Sequence, residues 1–138
     1  MSRRSEQRRD AAFVLYEAEI AGAPVSTVLE RGASPLTRSL VHAADDLKES
    51  LDEVIGRYSI DWSVQRIAVL ERCIMRIALV EMLHPEAVPA ENPIPPAGAI
   101  DEAVEVAKEY CGAQSPAFVN GILNAAMAEI GKSEADDE

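Results

Sequence analysis

Aromatic residues are scarce in this sequence: one Trp, three Tyr and two Phe among 138 positions. A core with so few rings must be filled by Ala, Leu, Val and Ile, which suits helices packed on helices. Cysteine is scarcer still. Cys73 and Cys111 have no CxxC spacing. They read as two reduced thiols, at least one of them buried, rather than a disulfide or metal site. Basic residues are the minority, 13 Lys and Arg against 24 Asp and Glu. A body this acidic repels nucleic acid unless contact is confined to a local basic patch or shared with a basic partner. There is no Gly-rich phosphate loop, nucleophile elbow or paired Cys/His set, so neither an active site nor a cofactor is expected. The polar, arginine-rich N-terminus shows no secretory cleavage site. The most apolar segment is too short and too charged to span a bilayer. A cytoplasmic protein is the expectation, with no membrane role.

What the chain does have is helical periodicity. Leu70 to Leu83 contains no Gly or Pro, and its apolar residues cover nearly the whole circumference. Such a helix is buried, with other helices around it. Arg72 and Arg76 share its main polar strip. Residues 4–22 read as an amphipathic helix with Phe13, Tyr16 and Ile20 on one stripe and Ala11 and Leu15 on another side; Gly22 ends it. A shorter helix follows Pro24 and ends near Gly32. Ser34-Pro35 is a cap-plus-proline start. It opens one regular helix over 36–58, whose solvated face holds Asp45, Asp46, Lys48, Glu49, Asp52 and Glu53. A helical turn is expected over Trp62 to Ala68. Five prolines between 85 and 96 make a stiff connector. Helices follow at 96–111 and from a second Ser-Pro start at Ser115 to Ile130. The chain reads as all-α, a single domain over 1–130 of about seven helices packed around the central one, with a disordered acidic tail at 131–138.

Charge is unevenly spread. The first ten residues hold Arg3, Arg4, Arg8 and Arg9 against Glu6 and Asp10, a net +2; the remainder, with nine basic and 22 acidic residues, is −13. Guanidinium groups pair well with phosphates, although four arginines near a terminus are often only a solvated end. Glu81 and His84 stand at i and i+3, a spacing found in carboxylate-bridged metal bundles. Those need a second such motif and two more glutamates. Glu81 therefore reads as a structural carboxylate bonded to a buried donor. Glu102, Glu105 and Glu109 share a helix face, either solvated or a docking face for a basic protein. Asn120-Gly121 inside an apolar helix costs roughly 1 kcal/mol relative to alanine. That cost suggests that Gly121 admits a neighbouring helix and that Asn120 bonds a backbone or side-chain partner.

Four segments in order resemble the NusB family of bacterial transcription antitermination factors. They are an arginine-rich start running into Ala12-Phe13-Val14-Leu15-Tyr16; Glu71 to Leu79; Ala99 to Lys108; and Phe118-Val119-Asn120-Gly121-Ile122-Leu123. The resemblance spans nearly the whole chain. It implies a non-enzymatic role in transcription regulation: binding single-stranded boxA RNA jointly with a small ribosomal protein that serves as NusE. The complex acts on the elongation machinery to promote read-through in ribosomal RNA operons. It implies RNA contact by the N-terminal arginines, Arg4 and Arg8 among them. It implies a ribosomal-protein surface formed by Tyr16, Glu71 and Phe118, with Gln114 and Ser115 in a loop that meets partners.

Two positions depart from the family pattern. Asp101 stands where Asn is usual, and Ala117 where a basic residue is common. The proline-rich connector is also longer than usual. An alternative reading is the RNA-binding module related to the N-terminal domain of ribosomal RNA methyltransferases; such an enzyme needs a cofactor-binding α/β domain after it, and catalysis within the 138 residues is not expected. A homodimeric interaction module without RNA is the third reading, since apolar surface left by the first helix could pair with itself.

Overall fold

In the computed structural model, the segment around Cys73 forms the centre, as its all-round apolar pattern requires. The structure describes residues 3–60, 63–88 and 93–136, with side chains to 131. Seven α-helices follow in order among these residues: α1 (Arg4–Ala21), α2 (Val25–Val28), α3 (Pro35–Asp46), α4 (Lys48–Tyr58), α5 (Val69–Leu83), α6 (Pro96–Tyr110) and α7 (Ser115–Asp136). Single 3-10 turns lie at Val64–Arg66 and Pro85–Ala87. Helix α5 is the post: Cys73 to Met82 are all buried, and α1, α3, α4, α6 and α7 pack around it. None of the described helices is long and apolar enough to cross a membrane. The thiols of Cys73, buried, and Cys111, half-buried, are free.

Local chemistry sets the ends. Gly22 adopts φ 64°, and its N–H returns to the carbonyls of Ala18 and Glu19, closing α1; a left-handed residue here favours glycine. At α3, the Ser34 hydroxyl accepts from the Thr37 N–H at 3.1 Å, and Pro35 takes the first helical position. The Thr37 hydroxyl donates to the Gln7 carbonyl at 2.9 Å, tying α3 to α1.

Several details differ from the sequence reading. The single helix expected over 36–58 is two, bent at Leu47 (φ −99°, ψ 11°). The bend lets α3 follow α1 while α4 follows α7, both still against α5. Asp52 is not on a solvated face but turned toward Arg76. Arg76, expected on a polar strip, is only 3% exposed. The buried side of α1 is Ala11, Ala12, Leu15 and Ala18, so Tyr16 and Ile20 face outward. Small residues win that interface because they let α1 approach α5 and α3 closely. Helix α2 is one turn only. Helix α7 continues through Asp136, into the stretch read as a tail; Lys, Ser, Glu and Ala there include good helix formers and no proline. Ser115 is the first helical residue, its hydroxyl engaged elsewhere. Asp61, Trp62 and residues 89–92, including Pro89 of the connector, lie outside the described residues.

Candidate functional site

The four N-terminal arginines separate as soon as α1 forms. Arg3 and Arg4 are exposed at its first turn, where the Glu6 carboxylate accepts from the Arg3 N–H at 3.3 Å. Arg9 is half-buried, with Nη2 3.3 Å from Asp10 Oδ1. Arg8 corrects the cluster reading. It lies on the Ala11–Ala12–Leu15 side of the helix and is buried. Its Nε and Nη2 donate to Glu81 Oε1 and Oε2 at 2.7 and 3.1 Å. It is not available to a phosphate at the surface. Glu81 is thus bonded to a buried donor, as its place among apolar residues suggested. His84 lies beside Glu86, Nδ1 to Oε1 3.5 Å. Among the described residues no group of three His, Cys, Asp or Glu could hold a metal ion.

Two charge clusters set α1 antiparallel to α5. Arg8 meets Glu81 at one end. Near the other, Glu19 faces Arg72 at 3.6 Å and Arg76 at 3.5 Å. Arg76 also donates from Nε and Nη2 to both oxygens of Asp52, at 2.7 and 2.8 Å. Arg4 lies near Glu81, Pro85 and Ile94. Glu71 is ten residues earlier on α5, about 15 Å along the axis.

At that second end Glu71, Gln114, Ser115 and Phe118 line one open groove with Arg66 and Ile67. The Ser115 hydroxyl donates to Glu71 Oε2 at 2.8 Å, joining the first turn of α5 to the first turn of α7. Four of the five residues expected at a protein surface are therefore brought together. Tyr16 is not in the groove; it is 38% exposed on the outer side of α1. Cys111 adjoins the groove. Burial pushes its thiol pKa up, and the Glu71 charge adds to this, while a hydrogen bond with Ser115 works the other way.

Asn120 and Gly121 are exposed on α7. Asn124 Nδ2 donates to the Asn120 carbonyl and Oδ1 at 2.8 and 2.9 Å, so Asn120 does bond a neighbour. A Cβ on Gly121 would meet nothing within 4 Å, which overturns the expected close approach of another helix in this chain. On α6, Glu102 accepts from the Ser5 hydroxyl at 3.0 Å, while Glu105 and Glu109 remain exposed.

Sequence reasoning missed Tyr110. It sits at the end of α6, edge-on to Phe13 with ring centroids 4.9 Å apart. Its spacing puts it on the buried Ala99–Ala103–Ala107 face of α6, so periodicity gave no signal of its exposure; it is open to solvent because it is the last residue of that helix.

The NusB family model matches residues 5–128. The transcription antitermination protein NusB of Rubrobacter xylanophilus is 35% identical, over 100% of this chain and 99% of its own length. That of Thermobifida fusca is 37% identical, over 90% and 88%. Among solved structures, T. maritima NusB superposes with a TM-score of 0.79 at 28% identity, covering 93% of this chain and 92% of that one. A chain from the crystal structure of antitermination factors NusB and NusE with double-stranded RNA shares the fold, at a TM-score of 0.76 and 22% identity, covering 91% and 96%. A family match over most of the chain, full-length relatives above 30% identity and the same helical arrangement lead to one conclusion: this chain belongs to the NusB family.

Proposed function

We propose that this protein is a cytoplasmic transcription antitermination factor that binds boxA RNA jointly with a small ribosomal protein acting as NusE. The observation that carries the reading is the Glu71–Ser115 hydrogen bond, with Gln114 and Phe118 lining the same groove. It presents a carboxylate and an apolar ring side by side, a fit for a cationic protein with apolar side chains. The body is acidic, which favours encounter with basic ribosomal proteins. The relatives at 35% and 37% identity are both antitermination proteins.

RNA contact falls to Arg3 and Arg4, with Arg9 partly engaged by Asp10. So few cations neutralise few phosphates, and affinity of the protein alone is weak and salt-sensitive. The ribosomal protein supplies the remaining surface. The role is one of binding, with no bond made or broken.

A salt-titrated binding assay with boxA RNA, with and without the ribosomal protein, tests this. The expected result is weak binding alone and a large gain on adding the protein. Glu71→Gln removes the charge and can keep the Ser115 bond, so it should reduce that gain without unfolding the chain. No gain from the ribosomal protein overturns the reading.

A further inference from the structure

Phe13 and Tyr110 meet across the α1–α6 interface with their planes at 86°. In a chain with six aromatic residues, these two are not used for the core. Tyr110 is 42% exposed and Phe13 half-buried. An edge-to-face pair fixes ring orientation at little entropic cost on binding. Arg9 lies one turn before Phe13 on α1. Its side chain is 31% exposed, and it interacts by side-chain hydrogen bonding with Asp10 and Tyr110. Its Nε is buried without a hydrogen-bond partner. Two exposed guanidinium groups, Arg3 and Arg4, stand further back on the same helix.

A ligand matching this surface carries a flat ring for Tyr110 and negative charge for the arginines. Single-stranded nucleic acid has both, because unpaired bases stack on aromatic side chains while cations track the phosphates. We propose that Tyr110, held edge-on by Phe13 and flanked by Arg9, is a base-stacking platform for single-stranded RNA. The inference rests on the RNA-binding reading above and gives it what an electrostatic patch lacks, a direct contact with a base. Asp10 and Glu109, next in sequence to Arg9 and Tyr110, disfavour phosphates over the rings. The backbone of the strand therefore follows the Arg3–Arg4 side and one base turns in.

The test compares the full chain with Tyr110→Ala and Tyr110→Leu on single-stranded boxA RNA and on the same RNA with single abasic positions, across a salt series. Leu keeps apolar bulk beside Phe13 but has no ring face, and thermal melting checks that both variants fold. Both should weaken RNA binding about 5- to 100-fold at every salt concentration, with the salt slope unchanged. Tyr110→Trp should retain affinity. One abasic position should abolish the difference between wild type and variant. Unchanged RNA affinity in both variants, or a loss equal on every abasic RNA, overturns the proposal. So does a loss confined to ribosomal-protein binding, which would make the surface a protein contact. Failure of the wider reading looks different: the wild-type chain itself would gain no RNA affinity from the ribosomal protein.

Discussion

Arg8 and Glu81 close a two-point ion pair between α1 and α5, with side chains 9% and 5% exposed. The pair links the helix that opens the chain to the helix at its centre. It also removes one arginine from a terminus that looked uniformly available to RNA.

Truncating one partner strands the other charge in a dry interface. Arg8→Ala or Glu81→Ala should each cost about 3–5 kcal/mol, read from urea unfolding midpoints. Replacing both, as Arg8→Met with Glu81→Leu, should recover most of that. A cost below about 1 kcal/mol for each single change would mean the pair is solvated in solution.

The salt dependence of RNA binding should count the surface arginines only. With two to three phosphates neutralised, log K against log salt should slope at about −1.4 to −2.1 for single-stranded RNA. Arg4→Gln should make the slope shallower by about 0.7. Removing Arg8 together with Glu81 should leave it unchanged. A steeper slope, lost with the double variant, would return Arg8 to the RNA.

Two glycines should respond oppositely to alanine. At Gly121 a Cβ enters open space inside a helix, so Gly121→Ala should stabilise by about 0.4–1 kcal/mol. At Gly56 a Cβ would lie 2.9 Å from Val64 Cγ2, a short, branched side chain with little room to yield. Gly56→Ala should therefore lose about 1–3 kcal/mol. Melting temperatures of the two variants decide it. Weaker partner binding in a stabilised Gly121→Ala would show that the open space is reserved for a bound molecule.

The cysteines should differ in reactivity. Burial pushes the Cys73 thiol up from 9.0 to about 11, with Arg76 pulling the other way. An alkylating reagent near neutral pH should label Cys111 first and Cys73 only on unfolding. The folded chain keeps the Cys73 proton between those pH values while the unfolded chain releases it. Stability from this group is therefore intact below about pH 9 and falls by up to about 3 kcal/mol as pH approaches 11. Cys73→Ala should flatten that part of the curve in pH-dependent unfolding.

Periodicity alone determined the all-helical class, the buried central helix and most helix boundaries, because a 3.6-residue apolar pattern and Ser-Pro or Gly punctuation are local properties. The order of four short segments also carried the family. Which arginine faces water was not local. Arg8 and Arg4 are one turn apart and chemically identical, and only the arrival of Glu81 from 73 residues away buries one of them. The same holds for the bend at Leu47, set by which neighbour each half-helix follows, and for the outward turn of Tyr16, set by alanines that pack more closely than a ring can. The groove at Glu71 and Ser115, like the pairing of Phe13 with Tyr110, exists only once α5, α6 and α7 are assembled. Sequence spacing says which side chains share a helix face; packing decides which of those faces meets solvent.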